Sequence, residues 1–355
     1  MLSTIESTQT ASLDQKMLPT TPPKTHIESP IQIPATDGYP LSANLYYSDA
    51  LHVPQTVAII NCATGVKAAY YARYARFLAA GGYLAITYDY RGIGASRPPS
   101  LRRLKATKFD WGSKDFEGVM QWVMKNFPDA KIVVIGHSIG GVLPGFSASN
   151  WRIDRMLTVG AQFAYWQDYA ERVRYRMLLK WHVLMPLATS LAGFFPGRLL
   201  GWLEDLPAGV AYEWAFRGAT LGSRSDRAGD KSIDRANDRA NSGVLAKSVK
   251  QRKERNDRTR NFPQLRCPLL AYSISDDEFG TPAAVLRLLR YYRGSDRTHV
   301  VVTPAEFALS EIGHFAFFHD RFSRNLWPES MAWLNTGCLL RQAANFLPSE
   351  APPIS

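Results

Sequence analysis

A chain of 355 residues, 46% hydrophobic and 12% aromatic, carries enough apolar matter for a large core, which excludes disorder as its general state. Three cysteines, Cys62, Cys267 and Cys338, are too few and too scattered for a disulfide framework or a zinc site, and they read as reduced thiols. The formal charge of +11 is local: between Arg217 and Arg260 thirteen Lys or Arg stand against six Asp or Glu, and the rest of the chain is only mildly basic.

Residues 1–30 are rich in Ser, Thr and Pro, as in "TTPPKTHIESP", and read as a flexible tail. Their opening, "MLSTIESTQTASLDQK", lacks the basic and apolar stretches of a secretory signal, so a cytoplasmic location is expected. Next, "IQIPATDGYPLSANLYYS" alternates about an Asp-Gly turn signal and predicts a β-hairpin. "TVAIINC", "YLAITYDY", "KIVVIGH", "RMLTVGA", "PLLAYSIS" and "THVVVTP" are short β-branched apolar runs. Continuous apolarity suits strands covered on both faces, hence a mainly parallel sheet. Between them, "AAYYARYARFLAAGG" predicts a helix ended by a Gly pair, and "SKDFEGVMQWVMKNF" predicts one capped by Ser113 and stopped before Pro128. Alternation of this kind specifies a doubly wound α/β core over 31–163 and 263–340.

The alternation breaks over 164–262, too long a stretch for a loop, and a helical cap inserted between the sixth and seventh strands is expected there. Its first part, "WHVLMPLATSLAGFF" with "LLGWLEDLP", is apolar and aromatic; Pro186 and Gly193 make it a poor membrane span, so it reads as packed helices. Residues 222–260, which include "SRSDRAGDKSIDRANDRANSG", are basic and of low complexity and read as a mobile surface stretch. For this stretch, peripheral contact with an anionic membrane is weighed against plain solvated surface, and nucleic acid is not expected as a partner.

In "VVIGHSIGGVLPG" a serine stands between two glycines at the end of a predicted buried strand and opens a small-residue helix, "IGGVLPGFSASN". G-x-S-x-G is weak as a motif alone. After a strand and before a helix it has the geometry of a nucleophile elbow, in which the glycines relieve a strained turn and the hydroxyl of Ser138 stands above the sheet. Pro144 is a mild conflict with that helix. A serine hydroxyl needs a base and an acid to orient the base. Downstream, "AYSISDDEFGTP" is a strand running into an acidic turn, where Asp277 is favoured by its spacing to Pro282, followed by Asp276 and then Glu278. After the next strand, "LSEIGHFAFFHD" offers His314 on a Gly-led loop as the base, with His319 as the nearby competitor. His137 and Cys62 read as packing residues, and Asp89 and Arg91 as structural.

With these residues in place, the chain resembles the α/β-hydrolase superfamily from Ile31 to Asn335. "DYRGIGAS" resembles that superfamily's D-x-R-G-x-G-x-S segment, and "NCATG" occupies the turn where relatives carry a His-Gly oxyanion turn. "CPLLAYSISDDEFGTPAAV" and "IGHFAFF" are similar to a bacterial subgroup of esterase/lipase-like hydrolases. The resemblance implies that the backbone N–H groups of Thr64 and Ile139 form the oxyanion hole, although Cys62-Ala63 replaces His-Gly. It also implies ester rather than dehalogenase or epoxide chemistry, since relatives doing the latter carry Asp at the elbow.

The function expected is hydrolysis of small-molecule carboxylic esters with medium-chain or other apolar acyl groups, through an acyl-enzyme on Ser138, with no metal or organic cofactor. Phe194 and Trp202 of the cap are expected to wall the acyl pocket. An acyltransferase using the same acyl-enzyme, and a non-catalytic binding member of the fold, are the alternatives.

Overall fold

Apolar runs that alternate with helices become strands buried on both faces. The computed structural model describes residues 26–49, 53–221, 258–339, 341 and 344–350. The hairpin is β1 (His26–Pro34) with β2 (Pro40–Ser48), and the six apolar runs form β3 (Thr56–Asn61), β4 (Leu84–Tyr88), β5 (Lys131–His137), β6 (Ile153–Val159), β9 (Leu269–Ile274) and β10 (Arg297–Val302). One sheet runs in the order β1-β2-β4-β3-β5-β6-β9-β10-β11, where β11 is the short Asn345–Leu347. The pairs from β4 through β10 are parallel, and the two outer pairs at one edge and the single pair at the other are antiparallel.

Two boundaries differ from those read in the sequence. Residues 1–25 of the expected tail lie outside the described residues, but 26–30 belong to β1, whose register runs from His26 opposite Ser48 to Pro34 opposite Pro40. Pro30 fits there because β1 is an edge strand, which tolerates a residue with no N–H to give. The helical run before Pro128 starts not at Ser113 but at Thr107, which forms a reciprocal capping box with Asp110. A wide π turn, Trp111–Phe116, then leads into α2 (Glu117–Asn126), and Ser113 Oγ instead donates to the Phe109 carbonyl at 2.8 Å. The other expected helix forms as α1 (Ala72–Ala80), which ends at Gly81.

Between β6 and β9 the described residues to 221 hold α3 (Arg174–Leu178), a π turn Leu179–Leu184, α4 (Met185–Ala192), the pair β7 (Phe194–Phe195) and β8 (Leu206–Pro207), and α5 (Ala208–Ala215). Pro186 lies in the first turn of α4 and Gly193 closes it in the left-handed region. Among the described residues no helix is long and apolar enough to cross a membrane. The basic stretch expected at 222–260 lies outside the described residues for 222–257, and with it the membrane contact weighed there.

The "DYRGIGAS" segment is tied down by charge. Asp89 accepts the Ala68 and Ala95 amides, both at 2.8 Å, and so holds the loop after β4. Arg91 is buried and donates from Nε to Asp115 at 2.6 Å and from both Nη atoms to Asp37 at 2.8 Å. The paired guanidinium holds the Asp37 carboxyl well below the usual range. Removing Asp115, itself 0% exposed, leaves part of a buried cation without its partner. Asp115→Ala should therefore cost about 3 kcal/mol in urea unfolding, and Asp37→Ala, at the exposed end, about 1 kcal/mol. Equal losses would show that burial does not set the strength of these pairs.

Candidate active site

β5 delivers Ser138 into a backbone conformation that L-residues avoid. Its φ is 55°, in the left-handed region, at a cost of about 1 kcal/mol for a residue with a Cβ. Both glycines of the motif are required by close approach: a Cβ on Gly140 would strike the Asn61 carbonyl at the end of β3, and one on Gly136 would strike the Gly141 backbone. Asn61 completes the contact by donating from Nδ2 to the Gly140 carbonyl at 3.2 Å, while Tyr88 donates to its Oδ1 at 2.7 Å.

The small-residue helix expected after Ser138 does not form. Two 3-10 turns replace it, Ser138–Gly141 and Leu143–Phe146, and Pro144 sits in the first turn of the second, where it has no helical hydrogen bond to lose. Turns this short carry little macrodipole, so stabilisation of negative charge here depends on individual amides.

The acidic turn after β9 divides its three carboxylates among three tasks. Asp277, buried, has Oδ2 2.7 Å from His314 Nδ1, and its Oδ1 accepts the Phe279 and Gly280 amides at 2.7 and 2.8 Å. Asp276 accepts the Ile312 and Gly313 amides at 2.9 and 3.1 Å, and so fixes the loop that presents His314. Glu278 pairs with Arg172 and Arg176 of the insertion at 3.3 and 3.4 Å. With Nδ1 donating to Asp277, the neutral His314 ring keeps Nε2 as its free base.

His137 lies behind the site. Its Nε2 is 2.9 Å from the His314 carbonyl, which can only accept, so Nε2 carries the proton and Nδ1 must accept from Tyr71 Oη at 2.7 Å. Tyr71 Oη in turn accepts the Ala63 amide at 2.8 Å. Burial, and then the neighbouring His314, holds His137 well below the ordinary histidine range, consistent with this neutral form. A buried relay therefore joins the turn after β3 to the loop that carries His314. His319 lies between two 3-10 turns with Nε2 2.9 Å from Tyr70 Oη, and Cys62 is a buried thiol pushed up by desolvation.

Ser138, Ile139, Thr64 and His314 line one cavity of about 20 Å³. Because the Ala63 amide is committed to Tyr71, the next amide in that turn belongs to Thr64. Gln162 Nε2 lies 3.5 Å from Ser138 Oγ, and its Oε1 accepts the Ala164 amide. From the insertion, Leu203 and Trp214 reach the cavity. Phe194 and Trp202 do not line it: Phe194 lies under the Arg97 guanidinium, and Trp202 packs on Trp181 and Phe195 with Lys180 Nζ 4.4 Å from its ring. Sequence reasoning also passed over Tyr71, Gln162 and Lys108, the last a cavity residue at the start of the Thr107-capped run. Among the described residues no three His, Cys, Asp or Glu side chains are grouped to hold a metal ion.

Residues 54–208 match the family described as serine aminopeptidase, S33. A soluble variant of monoglyceride lipase from Saccharomyces cerevisiae, solved with a substrate analogue, superposes with a TM-score of 0.60 at 13% identity, over 89% of this chain and 97% of that one. Brefeldin A esterase, a bacterial homologue of human hormone sensitive lipase, superposes with a TM-score of 0.50 at 16% identity, over 92% of this chain and 79% of that one. At such identities the likeness is one of fold. No curated protein matches in sequence.

Tyr71→Phe removes one oxygen and strands two buried groups, the Ala63 amide and His137 Nδ1. Urea unfolding should show a loss of about 2 kcal/mol. A loss within error of zero would mean that the relay contributes nothing to holding the two loops.

Proposed function

We propose that this chain is a member of the α/β-hydrolase superfamily and a serine hydrolase of carboxylic esters that works through an acyl-enzyme on Ser138. The observation that carries this reading is the convergence on one cavity of Ser138 and of His314 backed by Asp277. Ser138 Oγ attacks the ester carbonyl while His314 Nε2 takes its proton, and the imidazolium so formed is held by Asp277. The carbonyl oxygen, now an oxyanion, receives the Thr64 and Ile139 N–H groups. Protonated His314 gives its proton to the departing alkoxide. A water then attacks the acyl carbonyl with His314 again as base, which releases the acid and restores Ser138.

The cavity lining separates this reading from peptide end-trimming. An aminopeptidase must hold the substrate's terminal ammonium, which calls for a carboxylate. Among the described residues lining the cavity there is none, and the charged one is Lys108, which would repel that ammonium. The wall is otherwise largely apolar and includes Leu203, Phe279 and Phe315, which suits an apolar acyl group. We take the described residues 164–221 as a cap on the core, since Leu203 and Trp214 come from them.

Ser138→Ala and His314→Ala should each lower kcat on 4-nitrophenyl butanoate by about three orders of magnitude with unchanged unfolding. Asp277→Asn should cost more than Asp276→Asn, because the first alters the bond to His314 and the second only the loop beneath it. The reverse order would assign the orienting acid to Asp276. Thr64→Ala, which keeps the backbone N–H, should retain most activity.

At about 20 Å³ the cavity is tight, so side chains of its wall must shift to admit a substrate, and their bulk limits the acyl chain. Leu203→Ala should raise kcat/KM for hexanoyl relative to acetyl esters several-fold, and Phe194→Ala and Trp202→Ala should leave that ratio unchanged. A ratio that responds to Phe194 or Trp202 and not to Leu203 would place the acyl group elsewhere.

A further inference from the structure

One charged group in the cavity has no task in the chemistry above. Lys108 is 3% exposed and shares the cavity wall with Ser138, Thr64 and His314. Its Nζ stands 4.7 Å from the centre of the Trp214 ring, and among the described residues no carboxylate lies within ion-pair distance of it. Glu213, which acts on Lys108 electrostatically, is engaged elsewhere: one oxygen accepts the Lys108 backbone amide at 2.6 Å and the other pairs with Arg258 at 3.3 Å. A ring face compensates a desolvated ammonium only in part. A buried lysine without an anionic partner is costly, and it is rarely found unless paired.

We propose that Lys108 is an anion-recognition residue, and that the substrate is an ester carrying a carboxylate or phosphate group away from its reacting carbonyl. This rests on the serine-hydrolase reading and narrows it. In that arrangement Ser138 and the Thr64 turn take the ester carbonyl. The Lys108 ammonium takes the remote anion, and Leu203, Trp214 and Phe279 cover the carbons between them. The bound anion supplies the ion-pair partner that the described residues do not, and in a site shielded from water such a pair is stronger than at a surface.

Burial is the main cause that lowers Lys108, to about 7, with the Arg217 guanidinium acting in the same direction and Glu213 against it. His182, on the π turn of the insertion, is lowered by burial and, to a smaller extent, by the Lys108 charge. Lys108 is therefore charged below neutrality and loses its charge as pH rises, so recognition of an anion should fade over the same interval.

The test compares matched esters on the full chain. Mono-4-nitrophenyl glutarate against 4-nitrophenyl hexanoate places the charge on the acyl limb, and 4-acetoxybenzoate against 4-acetoxytoluene places it on the alcohol limb. In the wild type at pH 6, one anionic ester should exceed its neutral match in kcat/KM by about tenfold or more. Lys108→Met, close in volume, should abolish that preference while neutral-ester turnover persists. Should Lys108→Met not fold, the wild type alone decides the matter. Both members of a pair share Ser138 and His314, so the anionic-to-neutral ratio isolates Lys108, and it should fall about tenfold between pH 6 and pH 9. Neutral esters preferred in both pairs, a preference that survives Lys108→Met, or a ratio flat with pH would each overturn the proposal. Absence of turnover on every ester would instead strike the hydrolase reading beneath it.

Discussion

The turn that carries β5 into Ser138 is the constraint on which the rest of the site depends. A parallel strand must end, its last side chain must stand clear of the sheet, and the chain must fold back against β3 without leaving space for two Cβ atoms. The left-handed Ser138 and the contacts of Gly136 and Gly140 with Gly141 and Asn61 are one solution to those three demands. The strain is supported by strands β3 and β5, buried after their first residues, whose pairing runs from Thr56 opposite Lys131 to Asn61 opposite Gly136. The register of the sheet thus sets the position of the hydroxyl.

Around that turn, polar groups are placed by buried hydrogen bonds rather than by contact with solvent. Asp276 and Asp277 are adjacent in sequence, yet one holds a loop and the other a ring, because the turn after β9 points their carboxylates at different amides. The relay through Tyr71 and His137 ties the Ala63 turn to the His314 carbonyl, so the amide after Ala63 and His314 are referred to the same buried core. Lys108 differs from these groups in kind. Asp277 meets His314 and Glu278 meets the insertion arginines, whereas the Lys108 ammonium meets a ring face.

Much of the sheet was legible because its physics is one-dimensional. A strand covered on both faces needs an unbroken apolar run, and "KIVVIGH" or "PLLAYSIS" can satisfy little else. The order serine, acid, histidine was likewise readable as three strand ends. What escaped depends on contacts between segments. Ser113 was a plausible cap, but Thr107 has an acid three residues on to reciprocate and Ser113 does not sit at a helix start. β1 reaches back to His26 through pairing with β2, although its Ser and Pro content hid it. In the insertion neither expected wall residue lines the cavity: Trp202 packs on Trp181 and Phe195 while the next residue, Leu203, reaches the site, a choice that no period of two or 3.6 reveals. Lys108 carried no signal at all, since a lysine beside a cap is ordinary until Trp214, more than a hundred residues later, closes over it.

The claim that organises the account is that Ser138 attacks the substrate and becomes acylated. The most direct measurement is peptide mass mapping after treatment with a fluorophosphonate, which reacts with an activated serine and mimics the tetrahedral intermediate. The account predicts one adduct per chain, on the peptide that holds Ser138, and its loss in His314→Ala, where the base is missing. Turnover of esters with no adduct at Ser138, or with an adduct at another residue, would contradict it.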